Sequence, residues 1–190
     1  LDSNELNGNL PDNLGQLVNL HILQVSDNSL TGIVSERNLL SFSKLRQFWN
    51  FATQLKLFYL VNNTINGDIS NVLPSSEFVW LVSNNLRGGM PRISPDVVVL
   101  ALYNNSLSGS ISPLLPDNRI DKSNLVHLDM GYNHLTGELT DCWNDWKSLV
   151  HIDLGYNNLT SKFLTQWAPN LIFVFYIWKA TSSLERYLFH

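Results

Sequence analysis

At 190 residues, with 44% hydrophobic and 15% charged side chains, the chain can bury a core as one domain or as a run of stacked units, and it is excluded from the disordered class. A formal net charge of −4, without a dense run of lysine or arginine, excludes a nucleic-acid or membrane-surface footprint, either of which needs clustered positive charge. Cys142 is the only cysteine, which excludes an internal disulfide and metal sites of the paired-cysteine type.

The chain begins LDSNELNGNLP, with no basic stretch and apolar leader, so no signal peptide is expected in it. The same stretch holds Leu1, Asn4, Leu6 and Gly8, and this spacing returns. With the asparagine as origin, L-x-L-x-x-N-x-L-x-G recurs at Asn4, Asn28, Asn63, Asn84, Asn105, Asn133 and Asn157, in steps of 24, 35, 21, 21, 28 and 24 residues. Three before each asparagine stand Leu1, Val25, Leu60, Leu81, Leu102, Met130 and Leu154. Two after it stand Leu6, Leu30, Ile65, Leu86, Leu107, Leu135 and Leu159, and four after it a glycine, until Ser161 breaks the column.

The spacing is that of a coil too small to bury its own apolar face. Leu-x-Leu puts two side chains on one face of a short strand, the asparagine follows where the chain turns, and its amide can satisfy turn backbone groups that stacking would otherwise leave unpaired. Neighbouring coils then share a leucine core and an asparagine ladder. Within the 35-residue step, Leu45, Phe48, Leu55 and Leu57 fit a degenerate coil with Thr53 in the asparagine place, truncated or pinched near 45–62. Repeats are therefore expected over 1–162, in about seven coils, followed by an atypical tail over 163–190. The tail's apolar run Leu171 to Trp178 would span about 12 Å as a helix against roughly 30 Å of hydrocarbon, so no transmembrane segment is expected. With synonymous codons chosen for Lys162 to His190, reading one nucleotide early restores the pattern with an asparagine at position 181, where this chain has Thr181. The tail is therefore expected to be a frame-shifted repeat, the alternative being a genuine C-terminal cap of unusual sequence, and the nucleotide sequence would test it.

LVHLDMGYNHLTGEL, LHILQVSDNSLTGIV and LNGNLPDNLGQLVNL resemble the plant-type leucine-rich repeat, over residues 1 to 163. GIVSERNL and DCWNDWKSL look like the extracellular domains of plant receptor-like proteins. Proline after G-x-I survives only as Pro11 and Pro91, and Pro116 stands where such relatives often carry a cysteine that would pair with Cys142. The resemblance implies an α/β right-handed leucine-rich-repeat solenoid, with short parallel strands on the concave face and 3₁₀ turns and loops on the convex face. It implies non-enzymatic recognition of a peptide or protein ligand, in relatives that act at the extracellular face of the plasma membrane in defence or development with a co-receptor kinase. The alternatives are a non-functional truncated fragment and a secreted enzyme-inhibitor-like protein of the same fold.

In such a solenoid the exposed concave positions lie six, four, two and one before the asparagine, and adjacent strands about 4.8 Å apart stack them into columns. The columns run from an aromatic middle, with Tyr59, Phe78, Trp80 and Tyr103, to an end bearing His127, Asp129, His151 and Asp153. These eight residues are the expected ligand-binding face, since tyrosine and tryptophan bring large contact area at low entropy cost. The His/Asp end has ligand-type chemistry, yet duplicated repeats copy surface residues without purpose, and no metal or cofactor is expected. No catalytic residues are expected either. RGGMP lacks the Lys-Ser/Thr of a phosphate loop, no G-x-S-x-G occurs, and Cys142 falls on the convex side away from both histidines. Sequons at Asn62, Asn104 and Asn158 are candidate glycosylation sites, each beside a ladder asparagine.

Overall fold

The computed structural model describes residues 1–11, 17, 19–32, 55–70, 76–91, 93–111, 124–139 and 148–161. Its strands alternate between two walls. After β1 (Asn7–Asn9), successive coils contribute β2 (Ile22–Gln24) and β3 (Ser29–Thr31), then β4 (Leu57–Tyr59) and β5 (Asn66–Asp68), then β6 (Phe78–Trp80) and β7 (Asn85–Gly88). The series continues with β8 (Val99–Ala101) and β9 (Ser106–Ser110), β10 (His127–Asp129) and β11 (His134–Leu139), β12 (His151–Asp153) and β13 (Asn158–Ser161).

The even-numbered strands form one six-stranded sheet in the order β12-β10-β8-β6-β4-β2, parallel throughout and on the concave face. This is the right-handed solenoid, one strand per coil. The central residue of each strand, such as Phe58, Val79, Leu100 and Leu128, is wholly buried, while its two neighbours face outward. The odd-numbered strands make a second parallel wall, β13-β11-β9-β7-β5 with β3 pairing β1, from residues that the sequence marks only as a bend after the asparagine. Ile65, Leu86, Leu107 and Leu135 point inward from this wall and meet the Leu-x-Leu residues of the first. Each such side chain contributes about 2 kcal/mol on leaving water. The expected convex turns, Cys142, Pro116 and the tail over 163–190 lie outside the described residues.

β2 pairs directly with β4, Ile22 opposite Leu57 and Gln24 opposite Tyr59. Leu55 leads into β4 and Leu57 opens it. Most of the degenerate coil expected around Thr53, from 45 to 54, lies outside the described residues.

The asparagines work between coils. The Oδ1 of Asn63 accepts the N–H of Leu30 at 3.0 Å, and the pattern repeats from Ile65 to Asn84, Leu86 to Asn105, Leu107 to Asn133 and Leu135 to Asn157, at 2.9 to 3.1 Å. The Nδ2 of the same residue donates to the preceding coil, Asn84 to Leu60 O at 2.7 Å and Asn133 to Leu102 O at 3.0 Å, and again to its own strand end. Buried amides thus satisfy the backbone at each turn, which water cannot reach.

The residue just before every asparagine is left-handed. Ser3, Asp27, Asn62, Ser83, Asn104, Tyr132 and Tyr156 all have φ between 51° and 55°. Asparagine, aspartate and serine tolerate this through local hydrogen bonding, whereas a tyrosine there carries strain of about 1 kcal/mol. Gly88, at φ +95°, answers a second constraint, because a Cβ would sit on the Asp68 carboxylate and the Ser70 hydroxyl.

Candidate recognition face

Parallel register turns sequence columns into physical ones. Leu57 lies opposite Phe78 and Tyr59 opposite Trp80, so the Tyr59 and Trp80 rings stack with centroids 4.3 Å apart, and Phe78 lies beside Trp80 at 6.0 Å with nearly parallel planes. All three are half-exposed. They form a continuous aromatic platform across two coils. The next coil presents Val99 beside Phe78 and the buried Ala101 beside Trp80.

Past that point His127 pairs with His151 and Asp129 with Asp153. The two imidazoles stack at 4.1 Å, 5° from parallel. Each carboxylate accepts a backbone N–H two residues on, Asp129 from Gly131 at 3.2 Å and Asp153 from Gly155 at 2.8 Å. Burial pushes the Asp129 carboxyl up to about 6, with the Asp153 charge adding to the rise and the Gly131 N–H and His151 opposing it. Burial, followed by its histidine neighbour, lowers His127. The bank therefore combines a carboxyl reluctant to ionise with an imidazole reluctant to protonate.

Tyr103 joins this end. A Cβ on Gly131 would come within 3.0 Å of the Tyr103 Cδ2 and 3.3 Å of an Asp153 carboxylate oxygen, so the missing side chain at 131 leaves room for both. Desolvation raises the Tyr103 hydroxyl first, and the charges of Asp129 and Asp153 raise it further. Tyr132 contacts Tyr103 at 5.0 Å and stacks on Tyr156 at 3.8 Å. A hydrogen bond with Tyr156 is the main reason the Tyr132 hydroxyl is pushed up to about 12.

The structure gathers seven of the eight expected residues into two adjoining groups, Tyr59 with Phe78 and Trp80, and His127 with Asp129, His151 and Asp153. Tyr103 attaches to the second. It adds Tyr132 and Tyr156, each one before a ladder asparagine, which are not among the eight expected residues. Their signal was aromatic residues where the other coils carry asparagine, aspartate or serine. Among the described residues no group of three His, Cys, Asp or Glu side chains is arranged to hold a metal ion.

The sequon asparagines lie at the rim of the face. Asn62 and Asn104 occupy the left-handed column, both exposed, with Nδ2 donating to Asp27 at 2.7 Å and to Ser83 Oγ at 3.0 Å. Asn158 is exposed at the start of β13.

A family model described as Leucine Rich Repeat matches residues 124–146. No curated protein matches the chain by sequence. Among solved structures, the chain is similar to PEPR1 in the PEPR1-AtPEP1 crystal structure, at 24% identity and a TM-score of 0.69, covering 92% of this chain and 24% of that one. It is similar to a plant ice-binding protein at 22% identity and a TM-score of 0.58, covering 84% and 48%. It is also similar to the Arabidopsis receptor kinase HAESA, solved in complex with the peptide hormone IDA and the co-receptor SERK1, at 22% identity and a TM-score of 0.54, covering 82% and 28%. At these identities the likeness is one of fold. The chain spans about a quarter of the length of the receptors it matches.

Proposed function

We propose that this chain is a recognition module that binds a peptide or protein segment on its concave sheet and carries out no chemistry of its own. The observation that carries the reading is the half-exposed Tyr59, Trp80 and Phe78 stack, set beside the His/Asp/Tyr bank on one continuous sheet. Large, rigid rings with one open face are what a ligand's side chains anchor on. Neighbours with the same coil include a receptor kinase solved with a peptide hormone and a co-receptor, which supports a similar use here. Within that reading the chain forms part of a cell-surface receptor-like protein of defence or development. A co-receptor kinase is its signalling partner, and Asn62, Asn104 and Asn158 carry glycans at the rim.

A selection from a random peptide library on the full chain tests the binding step. Enriched peptides are expected to bind the Tyr59→Ala/Trp80→Ala variant at least about tenfold more weakly, as loss of a central aromatic anchor does. Peptides that bind both proteins equally would show that the concave face is not the site. The ice-binding neighbour suggests a different outer surface, the β5–β13 wall, but Asp68, Arg87 and Glu138 interrupt its serines and threonines.

A further inference from the structure

The two groups on the concave face differ in kind, and their separation is fixed by the strands. The platform offers three apolar ring surfaces. The bank offers two carboxylates in register on adjacent strands, with Tyr103, Tyr132 and Tyr156 alongside. Lys56 and Arg87 are the only described lysine and arginine. Arg87 is on the second wall and Lys56 precedes β4, so among the described residues no lysine or arginine faces Asp129 or Asp153. The groups that do face Asp129 are His127 on its own strand, His151 and Asp153 on β12, and Tyr103 after β8.

We infer that the ligand is an extended peptide lying across the strands, with an apolar side chain on Tyr59, Phe78 and Trp80 and a basic side chain, four residues away, over Asp129 and Asp153. Charge complementarity selects the basic group, because two carboxylates in register, with Tyr103, Tyr132 and Tyr156 alongside, attract a cation both directly and through the rings. The spacing follows from the sheet. From β6 to the midpoint of β10 and β12 is two and a half strand steps, about 12 Å at roughly 4.8 Å each. Four residues of extended chain cover about 13 Å and return the side chain to the same face. The reluctance of the Asp129 carboxyl to ionise without a counter-charge supports the same conclusion.

This inference rests on the concave-face reading, and one set of probes separates the two. An acetylated, amidated heptapeptide of glycine and serine carries tryptophan at its second position and arginine at its sixth. A second replaces arginine with neutral citrulline, and a third moves the arginine to the fourth position. Calorimetric titration of the full chain is expected to show the first binding about tenfold tighter than the other two. In the Asp129→Asn/Asp153→Asn variant, whose amide oxygens still accept the Gly131 and Gly155 N–H groups, that preference is expected to vanish. In the unaltered protein it is expected to shrink as salt rises, a readout that needs no variant. Equal binding of the arginine and citrulline peptides, or a preference that survives the double variant, overturns the inference and leaves the binding face standing. Equal binding of the third peptide overturns the spacing. If none binds the folded chain, both readings fail.

Discussion

Replacing Asn133 by alanine separates two accounts of the ladder. Asn133 makes four hydrogen bonds, accepting from Leu107 N–H at 2.9 Å and donating to the carbonyls of Leu102, Met130 and Gly131 at 3.0 to 3.1 Å. Counting each at about 1 kcal/mol gives roughly 4 kcal/mol. The carbonyls, however, are served twice. Leu102 O also accepts from Asn105 Nδ2 at 3.1 Å, Met130 O from Asn157 Nδ2 at 3.0 Å, and Gly131 O from the Asn104 N–H at 3.0 Å. Only the Leu107 N–H loses its sole partner, in a residue with no solvent exposure. One orphaned buried donor plus a small void costs about 2 to 3 kcal/mol, a fall in Tm of about 5 to 10 °C at this chain length. The contrasting variant is Asn28→Ala, whose partner Leu6 is 38% exposed, so that water replaces the amide and the loss stays below about 1 kcal/mol. Urea unfolding of the full chain followed by tryptophan fluorescence, together with hydrogen exchange at the Leu107 amide, measures both. Equal losses at positions 28 and 133, or a Leu107 amide that stays protected, would refute the argument that the orphaned donor sets the cost.

Asp129→Asn removes a pH dependence. A carboxyl raised to about 6 in the folded state binds its proton more tightly there than in the unfolded chain, so stability falls as pH rises from about 4 to about 6. The asparagine variant is expected to be flatter over that window and more stable at pH 7 by about 1 kcal/mol, after discounting the shift for solvent screening, in thermal melts across pH. Gly131→Ala pushes the Tyr103 ring by a few tenths of an ångström. Peptides selected on the chain are expected to bind it more weakly while its melting temperature stays within a few degrees, and unchanged affinity would remove Tyr103 from the face. Gly88→Ala combines a left-handed φ with a collision against Asp68 and Ser70, and a loss of at least about 2 kcal/mol is expected by chemical denaturation.

The sequence declared the coil more clearly than its contents. Leu60, Leu81 and Leu102 could be placed in one buried column because a fixed offset from an asparagine leaves no freedom in which face they occupy, and the concave columns followed with them. The second wall was not legible. Its outward residues, from Ser106 to Thr136, are polar and its strands short, so nothing in S-L-S-G-S distinguishes a paired strand from a bend until the next coil lies beside it. Around Thr53 the leucine spacing records only that apolar residues recur, while closure of a coil needs chain length as well. Tyr132 and Tyr156 were visible as residues, but the chain of rings from Tyr103 to Tyr132 to Tyr156 is carried on a left-handed backbone that no composition announces.

The direction of the bonds made by buried N–H groups gives the solenoid two unlike ends. The N–H groups of Ile65, Leu86 and Leu107 go forward, to an amide oxygen on the coil after. Bonds to the coil before come from the asparagine Nδ2, which also holds carbonyls of its own strand end, and from backbone N–H groups at exposed residues such as Thr64 and Asn85. Removing coils from the N-terminal end therefore leaves donors that keep a partner or meet water. Removing coils from the C-terminal end strands a donor inside the core. Shortened forms of this array are expected to survive trimming at their beginning better than at their end, and synthesis from the N-terminus leaves each coil waiting on its successor.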